Sequence, residues 1–276
     1  MSKEKKVPEI TKITVQKRRK DRFNIFVDGE YAFPVSEAVL LKTGLYKGMK
    51  LTAERQEEIE RENNAHIAYT TAIDYLSYGM RSEKEVRTKL LDNEVEPRFI
   101  GETIERLRDQ QYINDQVYGE SYTRTAANLN RKGPRVIAQD LKKKGLSEEM
   151  IQLSLEQYPE EQQLENALYL GERSFNKQRG HSSRDAFMKV KLHLQQKGYD
   201  RDLIDLAFQQ LDTQKSEEEE MDALRVQGDK AWRRYERKEK GRALQQKVRS
   251  NLYQKGFPGE LINFYIEDKL EEMDGE

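Results

Sequence analysis

Cysteine is absent from the 276-residue sequence, which excludes disulfides and thiolate metal sites and fits a reducing compartment. No apolar run approaches the roughly 20 residues needed to cross a bilayer, so no membrane span is expected. The charged opening, Met1–Lys6, is followed by no apolar stretch of the kind a secretory signal carries. A cytoplasmic location is therefore expected. Histidine numbers only 3, at the unrelated positions His66, His181 and His193, and forms no H-x-x-x-H or H-E-x-x-H metal pair. The glycine loops G-x-x-x-x-G-K-[ST] and G-x-G-x-x-G, which cradle phosphates, are missing, and so is a G-x-S-x-G nucleophile elbow. The many carboxylates fall where helices face water, and no pair stands out for acid–base chemistry. Neither an enzyme nor a cofactor is expected.

What is present is charge. Charged and hydrophobic residues each make up 36% of the chain, mean hydropathy is -0.99, and 49 basic residues nearly cancel 50 acidic ones. This balance cannot fill one deep spherical core. It leaves partial disorder or a thin structure with much surface for its volume. Regularly spaced apolar residues, 14 Tyr, 9 Phe and only 6 Pro favour the second, as an elongated helical array.

Four segments align without gaps: VRTKLLDNEVEPRFI from Val86, IAQDLKKKGLSEEMI from Ile137, VKLHLQQKGYDRDLI from Val190 and VRSNLYQKGFPGELI from Val248. A β-branched residue and a leucine four positions later (Val86/Leu90, Ile137/Leu141, Val190/Leu194, Val248/Leu252) share one helical face. Gly145, Gly198 and Gly256 follow, where a helix end favours a left-handed residue; in the first copy Glu94 takes that place. A second helix then opens at Ser147, Asp200 or Pro258, with apolar residues at Ile100, Ile151, Ile204 and Ile262. Ser82 with Glu85 forms a capping box, and Gly133-Pro134 opens the equivalent helix of the second copy. A further helix precedes each pair, near 65–78, 116–129, 161–175 and within 221–238. Each repeat is thus three short helices that bury little alone and complete their core by stacking.

The first 50 residues differ. Ile13 and Val15, then Phe23, Ile25 and Val27, then Tyr31 and Phe33 alternate with polar residues, and Asp28-Gly29 is a hairpin turn. A three-stranded meander is expected, then a short helix near 36–41 and a return near Lys50. The domains are 1–60 for this β-rich module and its linking helix, 61–111, 112–160 and 161–214 for three repeats, and 215–276 for a fourth with an acidic linker (Ser216–Glu220) and tail (Glu267–Glu276). The expected fold is mainly α, an elongated curved array of tandem three-helix repeats behind a small β-hairpin or meander module.

Charge segregates within the repeats. Arg124, Arg131, Lys132, Arg135, Lys142, Lys143 and Lys144 crowd the first two helices of the second repeat, and acids follow in its third helix. Arg184, Lys189 and Lys191 in the third repeat and Arg233, Arg234, Arg237, Lys247 and Arg249 in the fourth stand in comparable places, each set followed by acids, including Asp212 and Glu217–Glu220. Stacking brings such positions into a basic stripe suited to a phosphate backbone or an acidic protein surface. Tyr69, Tyr122 and Trp232 sit among apolar residues at helical spacing and are expected in the core.

The segment Lys132–Leu146, K-G-P-R-x-I-x-x-x-L-K-x-K-G-L, together with R-x-x-K-L near Arg87 and Tyr112-Ile113-Asn114-Asp115, resembles the RecX family of recombinase regulators. That resemblance runs from about Ala65 to Ile266. It implies an all-helical array that binds the RecA recombinase filament on single-stranded DNA as a monomer, limits filament growth, and lowers ATP hydrolysis and strand exchange. The fifteen basic residues named above are then the expected RecA or DNA contacts. The alternative is a free-standing nucleic-acid-binding protein of helix-turn-helix-like repeats.

Overall fold

The computed structural model of the chain describes residues 7–211 and 215–274. Strands β1 (Ile10–Val15), β2 (Arg22–Val27) and β3 (Glu30–Ser36) form the expected meander, antiparallel in the order β1-β2-β3. Asp28 and Gly29 both have positive φ, 47° and 91°, the left-handed pair that lets a two-residue turn follow the twist of its strands. Ile10, Ile25, Phe33 and Val35 point inward, and pack with Val39 of α1 (Glu37–Thr43) and Ile59 of α2 (Ala53–Ser77). Val15, at the end of β1, lies exposed. The buried side chain of Asn63 on α2 fastens helix to sheet: its Oδ1 accepts the Ser36 N–H at 2.9 Å and its amide donates to the Pro34 carbonyl at 3.4 Å.

Helix α2 runs unbroken for 25 residues, so the division expected near residue 60 falls inside it. No glycine or proline interrupts this stretch to end the helix. Its second half joins α3 (Glu83–Asp92) and α4 (Pro97–Asp109) in the first trio. The others are α5 (Asp115–Asn130), α6 (Pro134–Lys143) and α7 (Glu148–Leu155); α8 (Glu160–Lys177), α9 (Ser183–Lys197) and α10 (Arg201–Gln210); and α11 (Glu217–Tyr235), α12 (Gly241–Gln254) and α13 (Gly259–Asp274). All eight residues of the aligned β-branched/leucine pairs are fully buried, as their spacing requires. Ser82 and Glu85 form the capping box, and Pro134 opens α6.

Two acidic segments behave differently from expectation. Ser216–Glu220 is no linker: Ser216 caps α11 in a second capping box with Glu219, and Glu217–Glu220 form the first helical turn. Four carboxylates at a helix N-terminus complement its macrodipole, so the run that reads as a spacer stabilises a helix start. The acidic tail is helical as far as Asp274, where α13 ends. Asp212 lies outside the described residues.

The chain divides into two compact units, one comprising residues 1–118 with 144–146 and the other 119–143 with 147–276. In the first, a cluster around Ala72, Val86, Leu90, Ile104 and Leu107 fills the first trio. In the second, Ala167, Val190, Leu194, Tyr199 and Ile204 pack the third trio. Leu224, Trp232, Val248, Leu252, Phe257 and Tyr265 pack the fourth. Trp232 is 3% exposed, so it belongs to the core and offers no stacking platform.

Candidate binding surface and the joints between repeats

The aligned glycines do more than end helices. Gly145, Gly198 and Gly256 have φ of 93°, 96° and 86°, in the left-handed region. Each also lies against the N-terminus of the middle helix of the preceding repeat. A Cβ on Gly198 would stand 2.6 Å from the Val136 nitrogen; on Gly145, 2.8 Å from Lys84 Cβ; on Gly256, 3.0 Å from Ser182 Oγ. Glu94, the first copy's departure, also has positive φ, at 59°, but is exposed and has no preceding repeat to meet. Strain alone is tolerable there; strain plus close approach demands glycine.

Around these glycines a joint recurs. The residue just before each one, Lys144, Lys197 or Lys255, offers its carbonyl to the start of the preceding middle helix. Within the first unit the Ser82 hydroxyl donates to the Lys144 carbonyl at 2.7 Å, and the Glu83 N–H donates to the Asp115 carboxylate at 2.8 Å. Within the second unit the Ser182 hydroxyl donates to the Lys255 carbonyl, and the Ser183 N–H donates to Glu220 at 3.0 Å. Both carboxylates satisfy a helix N–H that has no partner inside the helix.

The middle joint is built differently. Proline at the first position of α6 has no N–H to satisfy, and among the described residues no carboxylate accepts from the backbone N–H groups at that helix start. Instead the Gly133 N–H donates to the Lys197 carbonyl at 2.7 Å and the Arg135 N–H donates to the Gly198 carbonyl at 3.1 Å. The buried Tyr199 hydroxyl donates to the Arg131 carbonyl at 2.9 Å and lies 3.2 Å from the Tyr158 hydroxyl, which accepts from the Asn166 amide at 3.0 Å. Burial pushes both tyrosine hydroxyls up in pKa, so both keep their protons at any physiological pH. The K-G-P-R segment is therefore a structural joint.

That assignment sorts the fifteen candidate cations. The Lys132 ammonium pairs with Asp140 at 2.7 Å and lies 3.4 Å from the Tyr122 hydroxyl; the bond to Asp140 raises its pKa. Arg135 pairs with Asp200, and Lys144 with Glu85. Arg131 stacks on Tyr169 with its guanidinium carbon 3.9 Å from the ring centre. Lys189 pairs with Asp185 at 2.9 Å, Lys191 with Asp205 at 2.7 Å, and Arg124 bonds Gln157 at 3.0 Å with Glu120 at 4.0 Å. Arg234 lies over Tyr235 at 5.5 Å. Lys143 is exposed beside Asp140, whose carboxyl its charge helps hold down. Lys142, Arg184, Arg233, Arg237, Lys247 and Arg249 are exposed and make no ion pair among the described residues. All six belong to the second unit.

Sequence reasoning missed Asp115 and Glu220 as joint residues. An acid near a helix start looks like ordinary macrodipole matching, and only folding shows which foreign N–H it meets. Sequence reasoning counts Arg173 and Lys177 among the basic residues of the third repeat but does not bring them together with His193 and Lys197, with which they line an open cleft in the third trio.

The joint carboxylates set the response to acid. Burial disfavours the ionised forms of Glu83 and Glu85, yet Arg87 and Arg108 around one, and Lys144 and Ser82 around the other, hold both below the ordinary 4.5. Asp140 and Asp185 are held below 3.8 against burial by their lysine partners. A depressed native pKa supplies stability that is complete above the unfolded value and is lost as pH falls through the native one. Asp115 runs the other way: burial raises its carboxyl, so its ionisation opposes folding and the native state gains as pH drops through that raised value. Among these carboxylates four stand against one, so the urea midpoint is expected to slip as pH falls through about 6.5, where His193 resists protonation in the folded chain, and to fall more steeply below about 4.5. Glu83→Gln should flatten that fall in urea titrations at stepped pH, and an acid slope unchanged in the variant would remove Glu83 from the account.

The fold and the exposed cations together define a tandem three-helix-repeat protein with a β-rich N-terminal module. Residues 8–52 match the regulatory protein RecX N-terminal domain, 68–107 the first RecX three-helix domain and 114–155 the second. The third RecX three-helix domain matches twice, at 160–208 and 217–266. A regulatory protein RecX of Oceanobacillus iheyensis is 39% identical over 273 residues, covering 96% of this chain and 99% of its own. One of Bacillus cereus strain 03BB102 is 40% identical over 267 residues, covering 95% and 98%. A crystal structure of regulatory protein RecX aligns with a TM-score of 0.60 at 37% identity, over 73% of this chain and 99% of that one. A crystal structure of RecX from Lactobacillus salivarius aligns with a TM-score of 0.52 at 37% identity, over 55% and 98%. The chain belongs to the RecX family of regulatory proteins. Among the described residues no helix is long and apolar enough to cross a membrane, and no group of three or more His, Asp or Glu is placed to hold a metal ion.

Proposed function

We propose that this chain regulates homologous recombination and DNA repair in the cytoplasm by binding the RecA recombinase filament on single-stranded DNA and lowering its ATPase and strand-exchange activity. Membership of a regulatory family across nearly the full chain supports the regulatory role. The observation that carries the contact surface is the set of cations left over once the joints have used theirs: Lys142, Arg184, Arg233, Arg237, Lys247 and Arg249. A cation already paired with a carboxylate must break that pair to meet a partner, whereas an exposed unpaired one loses only hydration. Repeated shallow contacts of this kind gain strength through multivalency and need no deep pocket.

A RecA ATPase assay on single-stranded DNA with increasing amounts of the chain tests the proposal directly. A dose-dependent fall in ATP hydrolysis, with stronger retention on RecA–DNA filaments than on naked strands, is the expected result. Unchanged hydrolysis together with equal retention on both would favour a free-standing nucleic-acid-binding protein.

A further inference from the structure

In the third trio, α8 and α9 present two cationic edges to one cleft. On α9, Lys189, His193 and Lys197 recur at every fourth position, one line along the helix. On α8, Arg173 and Lys177 are spaced alike, with Ser174 between them. These side chains line an open cleft of about 450 Å3, and no carboxylate is among its walls. The whole chain carries 50 acidic residues and a net charge of -1, so a cleft of this size lined only by cationic and neutral groups is a local concentration of positive potential.

The partners of each group narrow what is available. Lys189 is held by Asp185 at 2.9 Å and by His181 Nδ1 at 2.9 Å, and Arg173 donates to the Tyr169 hydroxyl at 3.4 Å. Lys177 and Lys197 make no ion pair among the described residues. His193 is half-buried between the two edges, and burial, then Lys197 and Lys177, hold its pKa below the ordinary value. An anion seated there would relieve the repulsion between these three groups and let the imidazole take up a proton.

We propose that this cleft is a phosphate-binding site, in which Lys177, Lys197 and Arg173 supply charge and His193 and Ser174 supply hydrogen bonds. Phosphate fits the chemistry because its several oxygens accept from donors that converge from two helices, with charge enough to offset three cations. The phosphate belongs either to the backbone of a nucleic-acid strand or to a nucleoside triphosphate. The site lies wholly within the third trio, where the sequence places only Arg184, Lys189 and Lys191 among the expected contacts, and it stands whether or not the chain acts on RecA.

The test uses the full chain alone at low salt. The three histidine ring resonances are followed by NMR across pH, with His193→Gln assigning its signal. Inorganic pyrophosphate, ATP and a thymidine oligonucleotide are added in separate arms. The proposal predicts that at least one arm moves the His193 resonance and raises its midpoint while His66 stays unmoved. The stronger of the ATP and oligonucleotide arms identifies the source of the phosphate. Lys177→Glu with Lys197→Glu should weaken the response about tenfold or more. Arg173→Glu, on an exposed side chain, provides a second variant should the pair disturb the fold. No movement of His193 in any arm, or a response that survives these charge reversals in a folded protein, would overturn it.

Discussion

Gly133→Ala is expected to cost the chain about 3 kcal/mol of stability, the upper range for forcing extra volume into a packed contact. The added Cβ would stand 2.3 Å from the Gly198 carbonyl carbon, 2.5 Å from its oxygen and 2.5 Å from the Tyr199 nitrogen. All three are backbone atoms, so no side chain can swing aside. Relief requires the two middle helices to part, which lengthens the bonds from Gly133 to the Lys197 carbonyl and from Arg135 to the Gly198 carbonyl. It also pulls the Tyr199 hydroxyl from the Arg131 carbonyl. Gly101 gives the control: a Cβ there meets nothing within 4 Å, and it lies inside α4. Gly101→Ala should therefore be neutral or stabilising by up to about 1 kcal/mol. Urea unfolding of both variants checks the contrast, and equal midpoints would mean that the middle joint carries no load.

Glu220→Ala should be the most damaging change among the acids of the Ser216–Glu220 run, at about 2–3 kcal/mol for the loss of charge-assisted hydrogen bonds in a buried place. The carboxylate is 7% exposed and accepts from the Ser183 N–H at 3.1 and 3.0 Å and from the Ser183 hydroxyl at 2.6 Å. Its removal leaves the start of α9 with an unpartnered donor next to the Ser182–Lys255 bond. Glu217 and Glu218 lie on the same helical turn but are exposed, and their replacement should cost only about 0.3–1 kcal/mol of macrodipole matching each. Thermal unfolding of the three single variants separates the cases, and a uniform effect would reduce Glu220 to one more first-turn acid.

Much of this fold can be read without coordinates because it is periodic. The β-branched/leucine pairs, the helix-ending glycines and the Ser82–Glu85 capping box are local patterns, set by spacings of three or four residues. The Asp28-Gly29 hairpin is local too. The joints are another matter: Ser82 meets a carbonyl 62 residues away, Tyr199 one 68 away and Ser182 one 73 away. No window along the chain contains both partners. The same limit governs the cations. Counting lysines and arginines finds where charge collects, but whether Lys132 is free depends on Asp140 eight residues on and across a turn, and whether Arg135 is free depends on Asp200. Within the segment that carries the family resemblance, Gly133 and Arg135 thus prove to join two repeats, while Lys132 is tied to Asp140 and Tyr122 inside its own.

The contact surface rests on cations that the joints leave unused, so the sharpest measurement reverses only those. A variant with Arg233→Glu, Arg237→Glu, Lys247→Glu and Arg249→Glu touches no joint and no ion pair among the described residues. Assayed against RecA ATPase on single-stranded DNA, it should show the circular dichroism and urea midpoint of the parent chain while its inhibition is lost. A folded variant that still inhibits as strongly as the parent would contradict the account.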